Sequence, residues 1–245
     1  LIKVNARLFS RRYEQWYLDH AQAVIAVSQQ VAGELRAAYR LRRRPSVITN
    51  GVDTGFFGYV SPEARQGGLL YVGRLGYRKG LGRLLDAFAR LPHRPGLELT
   101  LVGEGPLEAE LRRRARSLGI AGKVRFVGFL DRTGVRAELQ RAQCLVNPAD
   151  YETGPLTLLE ALACGTPVVT TPTGLATQMG LEAPLLLVAA DADALALGVD
   201  EVLANPEAAT ARARAGRALM VAAFDWDRVA AAIERIYLLQ QERVA

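Results

Sequence analysis

The run from Glu152 to Glu160, E-T-G-P-L-T-L-L-E, sets two carboxylates at the ends of a short turn that opens a helix. Gly154 is expected to cap that helix and Pro155 to take its first position, where a missing N–H costs nothing. The N–H groups of Leu156 and Thr157 then lack intrahelical partners, so the helix start becomes a receptor for an anion such as a phosphate. Glu160 follows one turn later on the same side, about 6 Å further along the axis. A phosphate receptor with a carboxylate along the same face suits a nucleotide, whose ribose diol needs an acceptor.

Leu156, Leu158, Leu159, Ala161, Leu162 and Ala163 make this helix apolar nearly all round, the composition of a buried helix. A carboxylate there needs a cation or a ligand, because an unpaired buried charge is costly. Glu160 is therefore either a ligand acceptor or the partner of a neighbouring arginine. Glu152, beside Asp150, either faces the ligand or is a solvated loop carboxylate.

Three further loops carry candidate chemistry. After L-L-Y-V come Gly73 and Arg74, then Lys79 and Gly80 before a helix. The chain has only three lysines, Lys3, Lys79 and Lys123, among 31 basic residues, so a lysine in a strand-to-helix loop stands out. An ammonium and a guanidinium together can grip a diphosphate and stabilise the charge that grows on it as a bond breaks; the alternative is two solvated cations. Gly103-Glu104-Gly105-Pro106 repeats the glycine-then-proline pattern, and its glycines either admit a ligand close to the backbone or simply form a tight turn. Leu107 and Glu108 stand where a dinucleotide fingerprint needs its last glycine, which argues against a nicotinamide dehydrogenase. The main chain of Gly128, Phe129 and Leu130 could hydrogen-bond a base edge.

These loops need a scaffold, and the pattern supplies one. Short β-branched runs at 23–27, 46–49, 68–72, 98–102, 123–127, 144–147, 167–171 and 185–188 alternate with longer helical patterns. That alternation predicts an α/β fold, a Rossmann-like doubly wound parallel sheet whose ligands bind beyond the carboxyl ends of the strands. The polar, glycine-rich stretch Gly51 to Gly68 reads as a boundary. Asp225 to Val244 reads as an amphipathic helix, with Ile233, Ile236, Tyr237 and Leu239 on the side that packs against a neighbouring element.

Composition narrows the class. At 245 residues, half of them hydrophobic, the chain suffices for one large domain with appended pieces. A net charge of +6 fits an anionic substrate, an acidic membrane surface or nucleic acid without choosing among them. The arginines of 41–44 and 111–116 lack interleaved aromatics, which disfavours nucleic acid and leaves solvated faces or contact with anionic lipid. Cys144 and Cys164 have no metal-ligand spacing and read as core thiols of a reducing cytoplasm. No apolar run reaches spanning length and no signal-peptide pattern opens the chain. The first residue is Leu1 and the opening already reads as mid-protein helix, so a fragment is expected.

Taken in order, V-G-R-L-G-Y-R-K-G, L-V-G-E-G-P, V-R-F-V-G-F-L and E-T-G-P-L-T-L-L-E-A-L-A-C-G-T-P-V-V resemble the retaining glycosyltransferases of the sucrose-synthase and mannosyltransferase-like family, glycosyltransferase family 4, with the GT-B architecture. V-I-A-V-S-Q-Q and V-I-T-N-G-V-D look like that family's hinge, and the resemblance runs from Ala21 onward. It implies 1–60 as the end of an acceptor domain and hinge, 61–222 as the nucleotide-sugar domain, and 223–245 as a helix packing back toward the first domain. Arg74 and Lys79 would hold the donor diphosphate, Glu160 the ribose hydroxyls and Glu152 the sugar near its reacting carbon. Gly154, Pro155, Leu156 and Thr157 would line phosphate and sugar through the main chain, Gly73 and Gly103 would approach the donor, and Gly128 to Leu130 would meet the base. The family generally uses neither metal nor other cofactor. The implied reaction is transfer from a nucleotide-diphosphate sugar with retention, to a saccharide, lipid-linked sugar or small-molecule acceptor, in the cytoplasm or at the inner membrane surface.

Two departures stand out. Gly154 and Pro155 replace the usual Phe-Gly-like pair, removing one N–H from the anion site, and Gly174, Leu175 and Gln178 stand where a Gly-Gly pair and a Glu are common. Because most of the first domain is missing, these residues alone should bind nucleotide without efficient transfer. Two other functions fit parts of the pattern. One is a sugar-nucleotide epimerase, for which the histidines His20 and His93 are poorly placed; the other is a non-catalytic nucleotide-sugar-binding module or partner subunit.

Overall fold

A computed structural model describes residues 2–61, 64–92, 94–179 and 184–241, the first nine of these by backbone alone. Helix α1 (Ile2–His20) leads to strand β1 (Ile25–Ala26), helix α2 (Gln29–Ala38) and strand β2 (Ser46–Val47), which pairs parallel to β1. Ser28 begins α2 as its N-cap, its side chain accepting from the Val31 N–H.

The rest of the chain alternates strand and helix. It runs β3 (Leu69–Val72), α3 (Leu81–Arg90), β4 (Leu99–Val102), α4 (Glu108–Ser117), β5 (Val124–Gly128), α5 (Arg132–Arg141), β6 (Cys144–Asn147) and α6 (Leu156–Cys164). Then come β7 (Val168–Thr170), α7 (Gly174–Met179), β8 (Leu186–Leu187), α8 (Ala192–Ala204), α9 (Pro206–Leu219) and α10 (Trp226–Gln241). The six strands form one all-parallel sheet in the order β5-β4-β3-β6-β7-β8, so the expected doubly wound α/β architecture is present.

Why these segments are strands is plain from burial. All four residues of β4 and of β6 are buried, as in a sheet covered on both faces, where strands read as continuous apolar runs. Alternation then assigns each residue to one of two cores. Leu69, Tyr71, Leu99, Leu101 and Val146 pack with α3, α4 and α8, while Leu70, Leu145 and Val168 pack with Leu158, Leu159 and Leu162 of α6. Every expected strand exists, most with trimmed ends, β6 at its expected bounds and β5 extended by one residue to Gly128; the run at 23–27 keeps only two residues in β1, whose one strand partner among the described residues is the equally short β2.

The stretch 51–68, expected as a boundary, is hydrogen-bonded to the sheet domain. Arg65 is buried, and its guanidinium donates to Leu139 O, Gln140 O, Ala142 O, Thr166 Oγ1, Val60 O and Cys164 O at 2.7–3.1 Å. These acceptors include carbonyls in the last turns of α5 and α6, where a cation complements the helix dipole. Arg217 similarly donates to Thr54 O, Phe57 O and Ala163 O. Val52 and Asp225 form a parallel bridge, which binds the segment entering the sheet domain to the one leaving it.

The last helix departs from expectation. Tyr237 and Leu239 are 67% and 47% exposed, and Val229 is the buried residue of α10, so the expected apolar side is only partly covered. Its far end meets the opening segment through the Arg43 guanidinium, which donates to Gln240 Oε1 at 2.8 Å. Val244 and His93 lie outside the described residues. Both cysteines are buried and free, and burial pushes each thiol up to about 12. No helix among the described residues is long and apolar enough to cross a membrane.

Replacing Arg65 with Met should strip the donors from these buried carbonyls and lower the unfolding free energy by roughly 3 kcal/mol. The denaturant midpoint measures this, and Arg65→Lys, with fewer donors, should recover only part of the loss.

Candidate functional site

Strands β3, β4 and β5 are laid down toward one edge of the sheet and β6, β7 and β8 toward the other, so the winding reverses between β3 and β6. The loops leaving those two neighbours diverge and open a crevice at their carboxyl ends. A cavity of about 310 Å³ lies there, lined by Val72 and Gly73 from the end of β3 and by Asn147 from the end of β6. Asn50, Lys79, Glu152 and the segment Gly154 to Leu158 complete its wall. A larger, shallower hollow between α1 and α2, lined by Arg11, Trp16 and Arg36, lies away from the strand ends.

Helix α6 starts on the cavity. Pro155, not Gly154, is its N-cap residue and Leu156 its first helical residue. The one-residue shift has a cause: the Gly154 carbonyl accepts a 2.8 Å hydrogen bond from Asn50 Nδ2, which fixes it outside the helix. Proline's missing N–H thus falls at the cap, and the N–H groups of Leu156 and Thr157 precede the first intrahelical acceptor.

Lys79 ends a 3₁₀ turn, Tyr77–Lys79, that Gly80 closes in the left-handed region at φ 64°. Its ammonium forms an ion pair with Glu152 across the cavity, with side-chain exposures of 26% and 17%. Lys79 and Arg74, expected to grip a diphosphate together, differ in their surroundings. Lys79 is matched to Glu152, whereas Arg74 is exposed and outside the cavity lining. Beneath them the Tyr71 hydroxyl donates to Arg74 O at 3.0 Å, and burial, then the Glu152 charge, raise its pKa.

Glu160 is half-buried, and among the described residues no ion pair or hydrogen bond reaches its carboxylate. The arginine that could neutralise it, Arg132, instead pairs with Asp53 at 3.0 Å and stacks over Phe56 and Phe57. Burial therefore raises the Glu160 carboxyl above its ordinary value, with only a through-space opposing effect of Arg132.

The other glycine loops pack on each other. Gly103 donates to Gly128 O at 2.7 Å, and at φ 122° a Cβ on Gly103 would lie 2.2 Å from Gly73 O. The Gly103 N–H is thus engaged rather than free for a ligand. The cavity lining brings together Gly73, Lys79, Glu152, Gly154, Pro155, Leu156 and Thr157, and it omits Arg74, Gly103, Gly128, Leu130 and Glu160. Phe129, between Gly128 and Leu130, is 75% exposed.

Three lining residues escape a reading of local pattern: Asn50, Tyr71 and Asn147. Tyr71 and Asn147 look like ordinary strand residues, and Asn147 Nδ2 donates to Thr170 Oγ1 at 3.2 Å. Asn50 carried a signal, since it lies within V-I-T-N-G-V-D. Of the histidines, His20 ends α1 with its ring bonded to Trp16 O. No group of three or more His, Cys, Asp or Glu among the described residues is arranged to hold a metal ion.

Two family models match successive parts of the chain. Residues 60–219 match the family described as glycosyl transferases group 1, and residues 3–56 match glycosyltransferase family 4. A glycogen synthase of Mycobacterium tuberculosis is 36% identical over 231 residues, covering 92% of this chain and 56% of that protein. A GDP-mannose-dependent alpha-(1-6)-phosphatidylinositol dimannoside mannosyltransferase of the same species is 36% identical over 176 residues, 67% of this chain and 42% of that one. The chain spans about half the length of the curated relatives it matches. Among solved structures, sucrose-phosphate synthase from Thermosynechococcus elongatus superposes with TM-score 0.82 at 30% identity, over 96% of this chain and 62% of its own. Anabaena HepE, solved in complex with UDP-glucose, shares the fold at TM-score 0.81 and 22% identity, over 95% and 67% of the two chains.

The unpartnered Glu160 gives a pH-dependent expectation. The unfolded carboxyl ionises near 4.5 and the folded one only at higher pH, so stability falls as pH rises through that interval and the penalty persists above it. Glu160→Gln should raise Tm by roughly 2–4 °C at neutral pH and leave it unchanged below about pH 4. Scanning calorimetry at both pH values checks this; an equal gain at both would trace the effect to packing.

Proposed function

The chain belongs to the glycosyl transferases group 1 family, and from that premise we propose that it is the donor-binding half of a retaining glycosyltransferase that takes a sugar from a nucleotide-diphosphate sugar. The observation that carries this reading is the start of α6. Two free N–H groups and the cation of Lys79 border one cavity at the switch point of a doubly wound sheet, where anionic ligands of such sheets bind. A diphosphate fits that arrangement.

In this reading the diphosphate lies against Leu156 and Thr157 N–H, with the Gly154–Pro155 turn beside it. Lys79 shifts from Glu152 onto the diphosphate, and the exposed Arg74 closes from the rim. Both cations then stabilise the charge that grows on the leaving diphosphate. Glu152, released by Lys79, faces the sugar near its reacting carbon. Glu160 accepts from the ribose hydroxyls, which gives a half-buried carboxylate the partner it lacks among the described residues. Gly73 and Gly103 keep the backbone low beneath the donor, and the Gly128 to Leu130 segment meets the base.

Residues 1–60 then close an acceptor domain and hinge, 61–222 form the donor domain, and 223–245 return toward the first. Metal is not required, since the leaving charge is met by cations and amides of the chain. The acceptor is a saccharide, a lipid-linked sugar or a small molecule, and the basic surface suits peripheral contact with the anionic inner face of a membrane on the cytoplasmic side.

Lys79→Ala in the complete enzyme should lower turnover by roughly 100-fold to 1,000-fold, the usual cost of removing a group that stabilises transition-state charge. Glu160→Ala should weaken nucleoside diphosphate binding by roughly tenfold or more, the loss expected for hydrogen bonds to a charged acceptor. Titration calorimetry with UDP and GDP measures the second effect; unchanged affinity removes Glu160 from the ribose.

A further inference from the structure

The loop that carries Glu152 is held from two sides. From the sheet domain, Lys79 pairs with Glu152, Arg83 pairs with Asp150, and the Asp150 N–H donates to Arg78 O at 3.0 Å. From the first 56 residues, Asn50 holds Gly154 and the Tyr151 hydroxyl donates to Glu34 Oε2 on α2 at 2.7 Å. The second hold continues along α2. Gln30 Nε2 donates to the other Glu34 oxygen at 2.9 Å, and Gln30 Oε1 accepts from the Gly174 N–H at 2.8 Å.

Gly174 closes the circuit. It sits at φ 49°, and a Cβ there would lie 2.2 Å from Glu152 O and 2.8 Å from Thr153 O, so the start of α7 is pressed directly against the backbone of the acidic loop. Glu34 and Gln30, one turn apart on α2, thus reach Glu152 along two routes: through its neighbour Tyr151, and through the glycine beneath its carbonyl. The Glu34 carboxyl is held below its ordinary range by Gln30 and Tyr151, as an acceptor of both must be. Neither residue lines the cavity.

We propose that Glu34 is a positioning residue for Glu152, setting the place of that carboxylate through the Tyr151 hydroxyl and the Gln30–Gly174 bond, so that the segment before the sheet domain governs how the donor's sugar is held. This rests on the donor reading above and adds to it a residue that touches no part of the donor. Because the diphosphate is held by α6, Lys79 and Arg74, the Glu34 circuit bears on the sugar and leaves the diphosphate alone. Arg78, 5.6 Å over the Tyr151 ring, steadies the same side chain from the sheet side.

The test compares nucleoside diphosphates with nucleotide sugars on the full chain, by calorimetry with UDP, GDP, UDP-glucose and GDP-mannose. Glu34→Ala and Tyr151→Phe should leave diphosphate affinity within about twofold and weaken the preferred nucleotide sugar by roughly fivefold to tenfold, about 1–1.4 kcal/mol. The double variant should be no weaker than the stronger single one, because both substitutions cut the same link. Equal losses for diphosphate and sugar, no loss for either, or additive losses would each overturn the positioning role. A wild-type protein that binds none of the four probes would remove the donor reading itself, and this inference with it.

Discussion

The reversal of winding between β3 and β6 is the constraint from which the rest of the site follows. Two parallel neighbours must send their following segments to opposite faces of the sheet, and the space between them cannot be filled by a connection. The chain furnishes that space with small or short groups at the end of β3, at Gly73, and with a helix start rather than a helix side at α6. Gly103 repeats the device next door, since its φ of 122° and the closeness of Gly73 O exclude a side chain. Two adjacent strand ends are thereby kept free of side chains.

Charge is distributed over this crevice with an evident cost. The buried Arg65 and the half-buried Arg217 show how the chain treats a cation that serves the fold: every described acceptor around it is a carbonyl or hydroxyl within hydrogen-bond reach. Glu160 is treated in the opposite way. It lies on the most apolar helix of the domain, with Arg132 committed elsewhere and its own carboxyl shifted upward by burial. A charge kept unsatisfied in this manner destabilises the fold, and such groups concentrate where a ligand completes them.

How far the sequence revealed all this depends on the range of each interaction. The runs Leu-Leu-Tyr-Val and Cys-Leu-Val-Asn disclose buried parallel strands because burial on both faces removes polar residues from the run, a local signal. The opening of α6 is nearly as legible, since Pro155 fixes its own φ and suits a helix start; the cap moved by one residue because Asn50, far off in the chain, holds the Gly154 carbonyl. The partner of Lys79 could not be read locally, for Glu152 lies 73 positions away and the spacing says nothing of pairing across a crevice. Gln30 and Glu34 carry no local signal of their role, and Glu34 remains exposed even while bonding Tyr151. On α10 the apolar side was visible in the pattern, but pattern gives a direction of burial and not what covers it.

The two carboxylates at the ends of the Glu152 to Glu160 run therefore differ in kind, although local sequence presents them alike. Glu152 is neutralised by Lys79 and held by a loop anchored on both sides; Glu160 has, among the described residues, neither a counter-ion nor an anchor beyond its own helix. In the proposed donor complex an anion at the start of α6 would compete with Glu152 for Lys79, while Glu160 would receive hydroxyl donors rather than charge. Environments that separate two like groups so sharply are how one turn of chain assigns them different tasks. Here the division is set by which of the two can be reached by a cation, and that is fixed by the placement of Lys79 at the end of a 3₁₀ turn and by the engagement of Arg132 with Asp53.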